Sequence, residues 1–455
     1  MGRCGAQSYF FSPYHAPQFL LLGLMTAMDQ LQVYKFGGAS VKDAAAILNL
    51  KHIVETTARG RPLLVVVSAM GKTTNALEEI FDLAYRGQPY ITKVKHLKDF
   101  HWSAASLLSK ELGADRLGDV DDLYEGLNEL FQGFAQKLTE INSRHEYDQQ
   151  YDQIVGFGEL LASRLVASAV VLYTDATWLD CRPLIQTDRN WREGRVNWAT
   201  TEAAIQATLP ALLAQGPVVT QGFLGGTAGG ATTTLGREGS DYSAAIFAYC
   251  LKAEAVTIWK DVAGLLSADP KIFPDAVRYP EISYQETIEM AYYGASVIHP
   301  KTLKPLAERG IPLRVKSFLN PTADGTLIHD CQHPALAPAF IRKTEQCLLS
   351  FESKDFAFIS EENLEVIFGA LAQARLKINL MQNSAISFSV CTDFMERRVQ
   401  QLLALLGEQF RTHYNADLTL FTIKNYDAAS IARLTAGREL LLEQRTRSTF
   451  QFVCR

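Results

Sequence analysis

From Leu31 onward the chain alternates short, mostly apolar runs, rich in branched side chains, with longer stretches whose apolar positions recur at helical spacing. The runs are LQVYKF, PLLVVVSAM, VVTQGF, AVTIWKD and IPLRVKSF, and all but the last lead into a glycine-containing turn. Such alternation predicts an α/β fold: a three-layer arrangement with a mainly parallel central sheet and helices on both faces. Between residues 78 and 153, charged faces and little strand character predict a helical insertion packed against that sheet. Periodicity weakens from Asn320, where Pro321, Pro334 and Pro338 intervene, and residues 326–340 are expected to form a linker.

Past that point the pattern changes. QCLLSFES, EENLEVIFGALAQA, KINLMQ, SAISFSVC and MERRVQQLLALLGEQ read as strand, helix, strand, strand, helix. Leu364, Ile367, Phe368 and Leu371 share one helical face, as do Val399, Leu402, Leu403 and Leu406. With FRTHY these complete a ferredoxin-like α+β unit. DLTLFTIKN, a helix around Ile431 to Leu442, and STFQFVC predict a second, shortened unit. The expected division is an extension over 1–28, a first domain over 29–325, the linker, and a tail over 341–455.

Composition narrows the class. A chain of 455 residues exceeds what one core serves, so two or three domains are expected. Hydrophobic content of 47% with 20% charged residues is that of a soluble globular protein. A net charge of -5 without a basic stripe gives no reason to expect a nucleic-acid partner. The seven cysteines are scattered and lack CxxC spacing, which predicts reduced thiols in a cytoplasmic protein rather than a disulfide framework or zinc site. FLLLGLM (Phe19 to Met25) is too short to span a bilayer. Preceded by Arg3 as its one fixed positive charge and by Pro13 and Pro17, it also makes a poor secretory signal. Residues 1–28 are expected to be a disordered extension, or to lie upstream of a start at Met25 or Met28.

Chemistry concentrates at the turns. In YKFGGAS (Tyr34 to Ser40), Gly37 and Gly38 allow a sharp bend and close approach to a ligand, and Ser40 with Asp43 has the spacing of a capping box. Backbone amides there, a helix N-terminus and Lys35 make an anion site, or else a tight turn beside a solvated lysine. SAMGKTTNAL is not a P-loop, because Val66 occupies the position of the upstream glycine; Thr73 and Thr74 either cap a helix beginning near Asn75 or touch a ligand. Glu159, in GFGELLASRL, sits in a first helical turn, favoured by the dipole whatever its role and also placed to meet a ligand ammonium. GFLGGTAGGATTTLGREGSDYSAA, with seven glycines and four threonines, is expected not to pack as regular structure and to offer amides and hydroxyls to phosphate. Within it Arg237 suits a carboxylate, and Ser240 or Asp241 either caps the next helix or faces the site. In WKDVAGLLSADPKIF, Lys260 and Lys271 either neutralise phosphates or are solvated charges, and Trp259 is expected in the core. His299 reads as a structural turn histidine. No His or carboxylate pair has metal-ligand spacing, so magnesium would be held by phosphates and water.

Taken in order, KFGGAS, SAMGKTTNAL, GFGELLASRL, TTTLGREGSDYSAA, WKDVAGLLSADPK and YGASVIHPKTL resemble the aspartate kinases of the amino acid kinase family, over about residues 31 to 330. The tail resembles the ACT-type regulatory domains that follow the catalytic domain in those enzymes. The resemblance implies transfer of the ATP γ-phosphoryl group, with Mg2+, to the β-carboxylate of L-aspartate, the opening step toward lysine, threonine and methionine. Lys35 matches the residue that stabilises the transferring phosphoryl group, and Asp241 one that organises it. Glu159 matches the residue facing the substrate amine, Arg237 and Ser240 positions near the substrate carboxylate, and Thr74 another aspartate contact. The glycine turn of Gly37, Gly38 and Ser40, with Lys260, Asp261, Leu266, Lys271 and Ser296, falls on the nucleotide side.

Several of these depart from the family pattern. Ala39 replaces a threonine, Lys260 a threonine, Leu266 a tyrosine, and Ser296 a lysine that reaches the nucleotide; Lys260 and Lys301 are candidates to restore the charge. The tail implies a homodimer and an amino-acid effector, lysine or threonine, with Asn383 and Ser384 candidates to line its site. Two other readings stand: a sibling kinase acting on another small acid such as acetylglutamate, and a catalytically weakened amino-acid-binding regulatory subunit.

Overall fold

The computed structural model describes residues 30–112, 117–171, 174–295, 298–332, 336–354 and 357–455. They form two compact units: residues 30–264 with 301–330, and residues 265–300 with 331–455.

In the first unit, β1 (Gln32–Phe36) leads through a one-turn 3-10 helix (Gly38–Val41) into α1 (Ala44–Thr57), then β2 (Leu63–Val67) and α2 (Thr73–Tyr85). Helices α3 (Ile91–Leu112), α4 (Leu117–Glu140) and α5 (Tyr147–Val155) are the expected helical stretch, and α6 (Phe157–Val171) follows. The window Tyr147–Val171 is long and apolar enough to cross a bilayer, and 83% of its most apolar part is buried within the protein. Next come β3 (Thr177–Leu179), β4 (Gln186–Thr187), α7 (Trp198–Leu213), β5 (Val218–Gln221), β6 (Leu224–Thr227), β7 (Thr232–Thr234), α8 (Gly239–Leu251) and β8 (Ala255–Lys260). After β9 (Glu281–Ser283) and α9 (Tyr284–Tyr293), which belong to the second unit, α10 (Pro300–Glu308), β10 (Leu313–Ser317) and β11 (Thr326–His329) finish the first.

The main sheet of this unit runs β3-β5-β2-β1-β8-β10-β11. All its pairings are parallel except β10 with β11. Every residue of β1 and β2 is buried, which is why these strands read as unbroken apolar runs: both faces are covered. Helix α6 packs on β2, β3 and β5 and against α1, while α8 packs on β1, β2 and β8 and against α7. Phe36 and Trp259, from neighbouring strands, stack with ring centroids 5.9 Å apart, so Trp259 is core as expected. Burying each such side chain contributes roughly 1.5–3 kcal/mol.

The glycine- and threonine-rich segment departs from expectation. It forms a buried hairpin, β6 antiparallel to β7, joined by β4 into a second small sheet. A Cβ on Gly226 would lie 2.5 Å from the carbonyl oxygen of Arg182, and one on Gly225 would lie 2.9 Å from that of Ile185. The glycines therefore serve close backbone packing, not looseness. The stretch expected as a linker likewise holds structure, since Thr326–His329 is β11 and the next strand begins at Ala339.

The second unit carries β12 (Ala339–Ser353), α11 (Glu361–Gln373), β13 (Ile378–Asn383), β14 (Ser387–Asp393), α12 (Glu396–Leu406), β15 (Phe410–Lys424), α13 (Ala428–Thr435), β16 (Leu440–Arg445) and β17 (Thr449–Cys454). Its sheet runs β13-β14-β12-β15-β17-β16. FRTHY and DLTLFTIKN, expected as separate strands, are the two halves of β15. Register shifts lie between Lys343 and Leu348, near Glu345 and Asp417 in left-handed conformation, and divide β12 and β15 into halves. The later half of β12 and the earlier half of β15 close one βαββαβ unit. The later half of β15 pairs with β17 and, on its other edge, with Ala339–Lys343. The shortened unit thus takes its outer strand from upstream in the chain.

Candidate active site

The crevice beyond the carboxyl ends of parallel strands is where ligands bind in open α/β sheets. Here β1, β2 and β5 end in turns that interlock backbone against backbone. A Cβ on Gly38 would stand 3.0 Å from the Ala69 carbonyl oxygen and 3.2 Å from that of Gly71. A Cβ on Gly222 would stand 2.5 Å from Cβ of Ser240. No residue but glycine fits these close approaches without displacement. The turns surround a cleft of about 830 Å3 that Lys35, Thr74, Glu159, Arg237, Asp241 and Lys260 all line, with Gly38 and Ser240.

At its floor two lysines share one carboxylate. Lys35 Nζ, from β1, lies 2.6 Å from Asp241 Oδ1, and Lys260 Nζ, from the adjacent β8, lies 3.7 Å from Oδ2. The Asp241 side chain is only 3% exposed. Burial disfavours its charge, but the two ammonium groups outweigh that and hold the carboxyl below its ordinary value. With two cations to one anion, the cluster suits an incoming polyanion. Asp241 does not cap α8: the N-cap is Glu238, in left-handed conformation with no side-chain cap bond, and Ser240 does not cap it either.

Glu159 is the second feature. Its Oε1 accepts a hydrogen bond from the Ala69 amide at 3.1 Å, while the buried Oε2 has no hydrogen-bond partner among the described residues. Burial pushes the carboxyl up to about 8, against the opposing pull of the Ala69 amide and the Lys35 charge. A buried acceptor left unpaired is costly unless a ligand fills it, and a cationic donor would do so best.

Other expected residues fall elsewhere. Ser40 is buried but is not a cap: its hydroxyl donates to the Gly37 carbonyl at 2.7 Å, closing the turn. Asp43 caps α1 instead, accepting from the Ala46 amide at 2.8 Å, because the 3-10 turn delays the helix. Neither Thr73 nor Thr74 caps α2, which begins at Thr73 after Lys72. The Thr73 hydroxyl lies 3.4 Å from Nε2 of buried His101, and Thr74 faces the cleft. Gly37 stands close to Lys35 Nζ without lining the cleft. Asp261 is exposed just after β8 and outside the lining, and Lys301 donates to the Leu235 carbonyl at 2.8 Å, also outside it. Leu266 and Lys271 belong to the second unit: Leu266 bridges Arg278, and the Lys271 amide donates to the Asp269 carboxylate. Ser296 lies outside the described residues.

Sequence reasoning missed one wall of the cleft, made by Glu78, Asp148, Tyr151 and the turn Asn190 to Glu193. Tyr151 donates to Glu78 Oε1 at 2.5 Å, and the Arg192 guanidinium lies 4.2 Å from the Tyr151 ring. One signal was present: Glu78 lies one turn beyond Thr74 on the same face of α2.

Nucleotide-sized space, a paired-lysine floor and glycine turns at strand ends define a phosphotransferase cleft, and the chain belongs to the amino acid kinase family, whose match covers residues 30–317. Among particular proteins, it is similar to the lysine-sensitive aspartokinase 3 of Escherichia coli (strain K12), with 34% identity over 373 residues, 80% of this chain and 79% of that protein. It is also 30% identical over 400 residues to the chloroplastic bifunctional aspartokinase/homoserine dehydrogenase 1 of Zea mays, covering 84% of this chain but 42% of that protein, so it spans less than half of that relative. The crystal structure of E. coli aspartokinase III in complex with aspartate and ADP (R-state) superposes with a TM-score of 0.77 at 28% identity, over 93% of this chain and 96% of that one.

Proposed function

We propose that the chain is an aspartate kinase, transferring the ATP γ-phosphoryl group to the β-carboxylate of L-aspartate to give 4-phospho-L-aspartate and ADP. The observation that carries this reading is the coexistence, in one cleft, of a buried Lys35–Asp241–Lys260 cluster and the unfilled Oε2 of Glu159. A β-carboxylate is already ionised at neutral pH, so its oxygen attacks phosphorus without a general base. The protein's work is then positioning and charge neutralisation. Lys35 neutralises the phosphoryl oxygens; Asp241 fixes Lys35 in place. Glu159 takes the substrate ammonium and Arg237 its α-carboxylate. An acylated amine, as in acetylglutamate, carries no cation for Glu159, which favours aspartate.

Lys260 and the glycine turn serve the nucleotide. Asp241 is committed to two lysines, so Mg2+ would be held by phosphates and water rather than by this carboxylate. The ACT-like unit would take an amino-acid effector, with lysine favoured by the name of the E. coli relative. Asn383 and Ser384 lie exposed at the turn between β13 and β14, available to such a ligand. A cytoplasmic homodimer completes the reading, and a monomer mass by light scattering at micromolar concentration would remove the dimer from it.

The test is an assay with ATP, Mg2+ and L-aspartate in which the acyl phosphate is trapped as hydroxamate. The wild type should give signal, and Lys35→Ala should abolish it with the circular dichroism spectrum unchanged. Wild-type silence on aspartate under saturating ATP would leave the regulatory-subunit alternative in its place.

A further inference from the structure

Strand β7 is an outer strand of its small sheet, so the amides of Thr232 and Thr234 on its free edge need partners inside the protein. Two consecutive side chains of α5 supply them in place of a neighbouring strand. Gln153 accepts from the Thr232 amide at 3.0 Å and donates to its carbonyl at 2.7 Å. Asp152 accepts from the Thr234 amide at 3.1 Å through Oδ2 and from the Thr234 hydroxyl at 2.8 Å through Oδ1.

Asp152, fully buried, also accepts from the Arg192 amide at 2.9 Å. Arg192 has φ 65, a left-handed conformation that a non-glycine residue holds only when its surroundings impose it. The turn it belongs to meets the arginine-bearing loop directly: a Cβ on Gly236 would lie 3.0 Å from the Arg192 carbonyl oxygen. The Gly194 amide in turn donates to the Thr234 carbonyl at 2.9 Å. One carboxylate therefore ties down both flanks of the Gly236–Arg237 step, Thr234 before it and the Arg192 turn beneath it.

We propose that Asp152 is a positioning residue that acts through Arg237, setting where the guanidinium meets the substrate carboxylate; this rests on the aspartate kinase reading. Both amides meet Asp152 Oδ2 and the Thr234 hydroxyl meets Oδ1. An asparagine could keep its oxygen on the two amides and donate its NH2 to the hydroxyl, which also accepts, so alanine is the substitution that removes the tie.

The test is a double-mutant cycle on the full chain with Asp152→Ala and Arg237→Ala, reading KM for aspartate, KM for ATP and kcat. Asp152→Ala should raise KM for aspartate by about tenfold or more, as small displacements of a binding group do, with KM for ATP little changed. In the Arg237→Ala background the same substitution should add almost nothing. Thr234→Val should repeat the effect in weaker form and Thr234→Ser should restore it, which keeps the test open if Asp152→Ala does not fold. Equal effects of these substitutions in both backgrounds, or parallel rises in both KM values, would overturn the positioning role while leaving the kinase reading intact. A wild type inactive on aspartate overturns both.

Discussion

Burial of Glu159 sets a pH dependence that can be stated in advance. Its carboxyl is pushed up to about 8, so near neutrality much of the free protein carries it protonated. The neutral acid cannot hold an ammonium as an ion pair, so KM for aspartate should fall as pH rises toward about 8, by up to about tenfold per unit below that value. Glu159→Gln should raise KM for aspartate and flatten this profile; an unchanged slope in the variant would assign the titration elsewhere. For stability the sign is opposite: with the folded value above the ordinary value of 4.5, the contribution is present at lower pH and lost as pH rises through about 8. Lys260→Ala should raise KM for ATP several-fold, by about 1 kcal/mol or more of lost charge-assisted contact, and ATP titrations at fixed aspartate would show it. Lys35, Glu159, Arg237 and Asp241, which line the cleft, stood out in the sequence because each is a charge beside a glycine turn at a strand or helix end. Asp152 and the Tyr151–Glu78 pair were not, because their partners are distant in sequence and only the fold brings them together.

The elements themselves were read well where one physical cause dominated. Strands covered on both faces gave continuous apolar runs, as in β1, β2, β5 and β8, while β10, with Arg314 exposed, was read from its alternating buried Leu313 and Val315. The reading failed where glycine has two meanings. In β6 the Gly225–Gly226 pair looks like loop composition, yet each glycine stands where a methyl group would strike a backbone carbonyl. Gly226→Ala should therefore destabilise by about 1–3 kcal/mol, the usual cost of overpacking a buried site. A lowered unfolding midpoint in denaturant with unchanged slope would record it. Gly230, in the β6–β7 turn, has open space around its Cβ position but φ 79. Its replacement by alanine should cost through backbone strain alone, so asparagine there should be better tolerated than alanine. At Gly226 no such rescue is expected.

The division of the whole chain was the least legible level, because contiguity in sequence hides a discontinuous unit: residues 265–300 group with the tail, although the chain on either side of them belongs to the first unit. The physical reason lies in two of the cores of the second unit, while a third, joining Leu348, Leu380 and Cys391 to Leu418, Leu420, Leu442 and Val453, lies wholly within the tail. One is assembled from residues between Cys347 and Phe410 alone, including Phe351, Ile367, Val399 and Leu402. The other joins Phe421, Ile423, Phe450 and Phe452 to Ala268 and Phe273. Beside that second core the Lys424 side chain, 3% exposed, reaches Glu286 at 3.5 Å and also pairs with Glu289, both on α9. A fragment of residues 336–455 keeps the first core whole but strips the second of Phe273 and leaves Lys424 without either carboxylate. An ammonium that loses its partners must be rehydrated or lose its charge, and the uncovered aromatic surface loses its burial energy. Hydrogen exchange on this fragment should show amides of 346–415 protected and those of 421–435 and 449–452 exchanging markedly faster than in the full chain, with Leu418, Leu420, Leu442 and Val453 still covered by the third core. Restoring neutrality with Lys424→Met should recover part of that protection in the fragment, while in the full chain the same substitution should destabilise, since it leaves Glu286 and Glu289 without their cation. Uniform protection of the fragment would mean that the second core does not depend on residues 265–300.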